Sequence, residues 1–250
     1  MTHYAIIGGG RLARHMRHYF SLLNLPVSCW TRDRTSPANT HSIADAGDRL
    51  RATIQPASHV LLLVSDMAIT EVLKRYPFLH EKVLVHCSGA LSIPGVAGAH
   101  PLMTFSHELY SLEQYRQIPF MIDSGHAFNE LLPGLPNPHF PIRMEDKPLY
   151  HALCVMAGNY SQILWQATVE RFSAIGLPAS TLEPYLQQVV QNFVRKPGSA
   201  LTGPLSRGDS ATIERNLKAL AGDPLEPVYR AFMELYRCTQ QPEQQLQVAQ

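Results

Sequence analysis

Three glycines, Gly8, Gly9 and Gly10, follow the apolar run Tyr4-Ala5-Ile6-Ile7 and precede Arg11-Leu12-Ala13. Glycine lets a backbone turn tightly and come close to another group. A glycine turn after a strand and before a helix leaves amide N–H groups and the positive end of the helix dipole free for an anion, above all a phosphate. Residues 8 to 13 satisfy the spacing G-x-G-x-x-A. In that pattern the first glycine makes the turn, the second admits a pyrophosphate, and the small last residue keeps the helix against the sheet. Gly8, Gly9, Gly10, Arg11 and Leu12 are therefore expected to hold a dinucleotide. A glycine turn that merely packs is the alternative.

The surrounding elements supply the frame that such a turn requires. Leu12, Met16, Tyr19, Phe20, Leu22 and Leu23 recur at helical spacing, and PVSCW then reads as a second strand. Its end, WTRDR, chooses the cofactor. An acid here accepts from the ribose 2′-hydroxyl of NAD, whereas Thr31, Arg32 and Arg34 can surround the 2′-phosphate of NADP. NADP is expected, with Asp33 serving NAD as the alternative. HVLLLVSD (His59–Asp66) and KVLVHCSG (Lys82–Gly89) read as buried strands. Ligands in such sheets sit beyond the carboxyl ends of the strands. Ser65 and Asp66 are thus expected beside the cofactor, and Ser88 beside the substrate or nicotinamide; Ser65 or Asp66 also suits a helix N-cap. IPFMID and NPHFPIR are two further strands.

From Lys147 the texture turns helical, with helices expected over Leu149–Ile175, Ser180–Phe193, Ser210–Ala221 and Glu226–Cys238, then a polar tail expected to fray. The fold class is α/β. A Rossmann-type, mostly parallel sheet over residues 1–146 is followed by an all-helical domain over 147–250.

Composition excludes other classes. Of 250 residues, 45% are hydrophobic and 16% charged, as in a soluble globular protein, and the net charge of +1 gives no footprint for nucleic acid or a membrane surface. Gly8–Gly10 interrupt any signal-peptide layout, and the apolar run Val60–Val64 is too short to span a bilayer. Cys29, Cys87, Cys154 and Cys238 form no C-x-x-C pair, which fits reduced thiols and a cytoplasmic location. The 12 histidines include no metal-binding motif, so no metal is expected.

Two stretches remain for chemistry. His100, in GAHPLMTFS, lies in an extended or turn segment near the cleft-lining loops. ALTGPLSRGD places Thr202, Ser206, Arg207 and Asp209 together. Arg207 either pairs with Asp209 to fix the loop or binds an anionic substrate.

The motifs IIGGGRLA, HCSGAL, HPLMTF, DKPLYHALCVMAGNY and ALTGPLSRGD resemble those of a bacterial family, long of unknown function, that joins an NADP-type Rossmann domain to a helical domain. That family is similar, more distantly, to ketopantoate reductases, 6-phosphogluconate dehydrogenases and β-hydroxyacid dehydrogenases. Some members resemble the alternative ketopantoate reductase of pantothenate and coenzyme A synthesis. The resemblance implies NADPH-dependent reduction of a small 2-keto acid, with ketopantoate first. It also implies a homodimer. Asn159 matches an asparagine of the better-known reductases, but Val155 stands where they carry lysine. His100, His151 and Lys147 are the substitutes for that proton donor. Arg207, with Thr202 or Ser206, would hold the substrate carboxylate, and Asn159 would stabilise the developing oxyanion. Reduction of an imine, a pyrroline or another 2-keto acid is the alternative within enzymes. A non-catalytic NADP-binding sensor is the alternative outside them.

Overall fold

The computed structural model describes residues 2–32 and 43–240. Arg34, Asp33 and the end of the polar tail lie outside the described residues. The chain divides into two compact units, residues 1–160 and 161–250.

The first unit runs β1 (Tyr4–Ile7), α1 (Arg11–Leu22), β2 (Val27–Trp30), α2 (Ile43–Ile54), β3 (His59–Leu62), α3 (Asp66–Arg75), β4 (Val83–His86), β5 (Ala97–Pro101), α4 (Leu112–Gln117), β6 (Phe120–Asp123), α5 (Phe128–Leu131), β7 (His139–Ile142) and α6 (Lys147–Cys154). The strands form one sheet in the order β2-β1-β3-β4-β5-β6-β7. The first five are mutually parallel. β6 is antiparallel to β5, and β7 follows β6 in parallel. Between β5 and β6 the chain carries the six-residue α4 and doubles back, with Leu102 N–H donating to the Pro119 carbonyl at 2.9 Å.

Side chains alternate between the two faces of the sheet. Tyr4, Ile6, Leu61 and Val85 pack with Met16, Tyr19 and Phe20 of α1. Ala5, Ile7, Val60, Leu62 and Leu84 pack with Leu50 and Ile54 of α2 and with Ile69 and Leu73 of α3. The order 2-1-3-4-5 reverses between β1 and β3, and this switch point is where a doubly wound sheet opens a crevice.

After α6 the chain makes a π-helical turn, Val155–Tyr160. Texture alone sets a domain boundary at 146/147, whereas α6 and this turn group with the sheet, and the division falls at 160/161. The reason is Lys147, which is only 2% exposed and bonded into the sheet.

The second unit holds α7 (Ser161–Ala174), α8 (Glu183–Arg195), α9 (Pro204–Arg207), α10 (Ser210–Ala219) and α11 (Leu225–Gln240). Arg171 of α7 grips Asp223 with two bonds, at 3.1 and 3.3 Å. Apolar side chains stay exposed on these helices, including Tyr185, Phe193 and Val194 of α8 and Phe232 and Leu235 of α11. No helix among the described residues is long and apolar enough to cross a membrane.

Candidate functional site

The glycine turn is shaped by the strands on either side of it. Gly8 has φ of +144°, a conformation other residues rarely adopt, and a Cβ there would lie 2.1 Å from the Leu63 carbonyl oxygen. A Cβ on Gly9 would press on the Thr31 methyl at 3.1 Å. Gly10 differs, because its outer side meets nothing within 4 Å. It is also the N-cap of α1, and no side chain caps that helix. The first turn of α1 therefore presents free N–H groups to open space.

That space is a cavity of about 650 Å³ lined by residues 8–12, by Trp30, Thr31 and Arg32 after β2, by Leu63, Val64 and Ser65 after β3, and by one face of α3. Ser65 is the N-cap of α3, yet its hydroxyl makes no capping bond. The α3 face contributes Ala68, Glu71, Val72, Arg75 and Tyr76. The Arg75 guanidinium lies 5.6 Å from the Tyr76 ring centroid. Sequence reasoning missed Glu71, Arg75 and Tyr76. Their signal is the i, i+3, i+7 spacing from Ala68, which puts 68, 71 and 75 on one side of a helix that starts at the cleft.

Asp66 is not on this lining. It accepts from the Ser88 hydroxyl at 2.8 Å. Ser88 Oγ in turn accepts from the Ala90 and Leu91 amides at 3.3 and 3.1 Å, so Ser88 fixes the β4–β5 loop.

A second group of side chains gathers beyond this loop. His86 pairs with Gly98 across β4 and β5, and Ala99 pairs with Ile122, which sets Gly98 beside Asp123. His86, Gly98, His100 and Asp123 thus share one face of the sheet. Gly98 leaves a hole there: a Cβ would lie 2.6 Å from Lys147 Nζ and 2.7 Å from Asp123 Oδ1. The hole holds a buried ion pair, with Lys147 Nζ on Asp123 Oδ1 at 2.7 Å, while Gly98 N–H donates to Asp123 Oδ2 at 2.7 Å. Lys147, expected to be a proton donor, is instead committed to this pair. Burial is what forces it, because an ammonium cannot leave water unpaired.

One turn along α6, Tyr150 Oη meets His100 Nδ1 at 2.7 Å. The His151 ring lies 6.4 Å from that of His100, and both rings crowd Gly89, where a Cβ would be 2.8 Å from His151 Cδ2 and 3.3 Å from His100 Nε2. Burial, His151 and Lys147 together push the His100 pKa down to about 4. Burial pushes the Tyr150 hydroxyl up. His86 is fully buried; its Nδ1 accepts from the Ser88 amide at 3.2 Å, and its Nε2 has no partner. Burial, then Lys147, brings its pKa to about 4. Among the described residues no group of three or more His, Cys, Asp or Glu side chains could hold a metal ion.

Asn159 is exposed rather than part of this group. With α-helical spacing, 151, 155 and 159 share a face. The π-helical turn bonds i to i+5 and breaks that phase, leaving Asn159 exposed. In the second unit Thr202, Ser206 and Arg207 are exposed around α9, between Gly203 (φ +113°) and Gly208 (φ +68°). Ser206 Oγ donates to the Gly203 carbonyl at 3.0 Å. Asp209 caps α10 by accepting from the Thr212 amide at 3.0 Å, and Thr212, first through its side chain and then through this amide, holds the carboxyl below the ordinary range.

Residues 123–235 match the family model described as a domain of unknown function, DUF2520. No curated protein matches the chain. Solved structures share its fold. A Bacteroides fragilis protein classed as an NADP oxidoreductase is 20% identical, with a TM-score of 0.73 over 94% of this chain and 97% of its own. A Thermotoga maritima protein is 24% identical, with a TM-score of 0.63 over 94% and 96%. A reductive aminase from Aspergillus terreus, solved with NADPH and ethyl levulinate, is 14% identical, with a TM-score of 0.59 over 96% and 94%.

Proposed function

We propose that this chain is an NADPH-dependent reductase of a small carbonyl or imine compound. The observation that carries this reading is the uncapped, glycine-walled start of α1 opening on a cavity of about 650 Å³ with Arg32 at its rim. The donor set fits a dinucleotide phosphate: free N–H groups at the helix end, room at Gly10 that a Cβ would occupy, and two guanidinium groups, Arg32 and Arg75, for a 2′-phosphate. NADPH, when bound, supplies a hydride. The residues of the chain do the rest. Gly8 to Leu12 hold the pyrophosphate, Thr31, Arg32 and Arg75 the adenosine end, and Ser65 the path toward the β4–β5 loop. His100 supplies the proton, and Lys147 positions α6 against the sheet. The similar folds named above support the reading.

For the substrate, the motifs favour a 2-keto acid, with 2-dehydropantoate first. Arg207, with Thr202 and Ser206, is proposed to bind its carboxylate. One observation favours an imine as the second reading. Asp66 makes no ion pair among the described residues, and a free carboxylate suits a cationic iminium. The exposed apolar faces of α8 and α11 support self-association, which sedimentation tests.

The test is NADPH oxidation, followed by absorbance, with 2-dehydropantoate, pyruvate, 2-ketoisovalerate and a cyclic imine, and NADH as control. Turnover with 2-dehydropantoate alone supports the keto-acid reading, and turnover with the imine alone the second. Tight NADPH binding with no turnover on any of them overturns both and leaves a sensor.

A further inference from the structure

We propose that Tyr150 fixes His100 in one neutral tautomer, with its proton on Nε2, and thereby makes an uncharged imidazole the proton donor of this site. The inference rests on the reductase reading and deepens it. Tyr150 lies within the motif DKPLYHALCVMAGNY, yet the sequence assigns it no role; only the fold brings it to His100.

The argument starts from proton counting. A neutral imidazole has one N–H and one lone pair, and whatever bonds one nitrogen decides what the other can do. Tyr150 Oη lies 2.7 Å from Nδ1. Two arrangements are open to that bond. If Nδ1–H donates to the phenol oxygen, Nε2 is left as a base. If the phenol O–H donates to Nδ1, Nε2 carries the proton. The second neighbour of the hydroxyl decides between them. Cys154, one turn further along α6, meets the same phenol group. A thiol is a weak acceptor and a weak donor. The first arrangement would aim the only phenol proton at that sulfur. The second joins a good donor, phenol O–H, to a good acceptor, imidazole nitrogen, and leaves the weak S–H to the phenol oxygen.

The surroundings also keep the ring uncharged. His100 is faced by His86 from β4, Gly89 from the β4–β5 loop, Asp66 from α3, and Lys147, Tyr150 and His151 from α6. Burial, with His151, Lys147 and His86, outweighs Asp66, and the pKa near 4 leaves no imidazolium at neutral pH. The ring can still act through its Nε2–H. That nitrogen lies on the Gly89 side; Ser88, the chain neighbour of Gly89, donates to Asp66, which directly follows the cavity-lining Ser65.

The step balances as follows. The substrate carbon gains a hydride, and the carbonyl π pair moves onto oxygen. That oxygen takes the Nε2 proton. Nδ1 takes the Tyr150 proton in the same movement. Nδ1 then returns its proton to the phenolate oxygen, and Nε2 takes one from solvent, which restores the starting tautomer. One hydride and one proton are consumed. Tyr150 touches no substrate atom and is a positioning residue; His100 is the donor.

The experiment uses the full chain, Tyr150→Phe and His100→Gln, with two readouts. The first needs no substrate. Long-range ¹H–¹⁵N spectra of the wild-type histidines should show His100 as the Nε2–H tautomer, unchanged between about pH 5.5 and 8. Tyr150→Phe should yield mixed tautomers while the fold is retained. An Nδ1–H tautomer, or a midpoint near the ordinary histidine value, overturns the proposal. The second readout is turnover. Tyr150→Phe should lower kcat by about tenfold or more and change its pH profile, with NADPH affinity unchanged. Wild-type kcat and profile in Tyr150→Phe overturn the proposal and leave the reductase reading standing. A wild-type chain that binds NADPH and reduces nothing ends the reductase reading, and the tautomer spectrum then decides the His100–Tyr150 arrangement alone.

Discussion

The glycine cradle and the histidine cluster lie along one edge of the same sheet and are built in opposite ways. The cradle is made of backbone: an uncapped helix end, a strained Gly8 and an open Gly10. Its chemistry lies in N–H groups that every residue but proline possesses, and the side chains matter chiefly by being absent. The cluster is made of buried and half-buried polar side chains, most of them met by a residue from a distant part of the chain: Lys147 by Asp123, His100 by Tyr150, Ser88 by Asp66, while His86 Nε2 has no partner among the described residues. A backbone site tolerates change except where a Cβ would intrude. A buried side-chain site depends on every partner, because a lone charge or donor in low dielectric costs more than the pair contributes.

The largest expected effect follows from that difference. Lys147→Met should leave Asp123 buried and uncompensated and cost about 3–5 kcal/mol in urea unfolding. The double variant Lys147→Met, Asp123→Asn removes both charges and should recover more than half of that loss. A Lys147→Met variant as stable as the wild type would show that the ion pair does not hold α6 to the sheet. The cradle should respond differently at its two glycines. Gly8→Ala forces a Cβ to within 2.1 Å of a carbonyl oxygen and should not fold. Gly10→Ala meets open space and should fold normally, yet bind NADPH about a hundredfold more weakly, or about 2.7 kcal/mol. Equal NADPH affinity in calorimetry would mean that the phosphates do not pass over Gly10.

The same contrast explains what the sequence made legible. Strand, glycine turn and helix are contiguous, so the cradle is readable from thirteen residues, and the apolar strands β1, β3 and β4 are readable from composition. Ser65 lines the cavity, in the position that strand ends predict. Tyr150 and the Lys147–Asp123 pair could not be found this way, since the partners are 50 and 24 positions apart. β5 was hidden because Gly98 and Pro101 make AGAHP look like a loop. The π-helical turn at Val155–Tyr160 leaves no compositional mark, and it is what removed Asn159 from the face it would hold in a regular helix.

Acid should separate the two regions next. His86 and His100 have pKa values near 4 in the folded chain, against about 6.5 unfolded. Between these values the unfolded chain binds more protons, so stability rises with pH through that window. It is fully present above pH 6.5 and is lost as pH falls toward 4. For fully buried His86 the loss is up to about 3 kcal/mol. Thermal unfolding followed from pH 7.5 to pH 4 should show this slope, and His86→Gln should flatten it. A slope unchanged by His86→Gln would place the acid sensitivity outside the cluster.

The smallest effect belongs to the cradle's rim. Arg32 and Arg75 line one cavity from two elements, the end of β2 and the exposed side of α3. Only a 2′-phosphate would draw on both guanidinium groups, since an NAD ribose offers them hydroxyls alone. Each contact is solvent-exposed at one end and should be worth about 1.4 kcal/mol, a tenfold change. Arg75→Ala should therefore lower affinity for NADPH about tenfold and leave NADH unchanged, and Arg32→Ala should do the same. Their double variant should bind the two cofactors alike. Parallel losses for NADPH and NADH in Arg75→Ala would point to adenine stacking beside Tyr76 rather than to the phosphate, and would return the choice of cofactor to β2 alone.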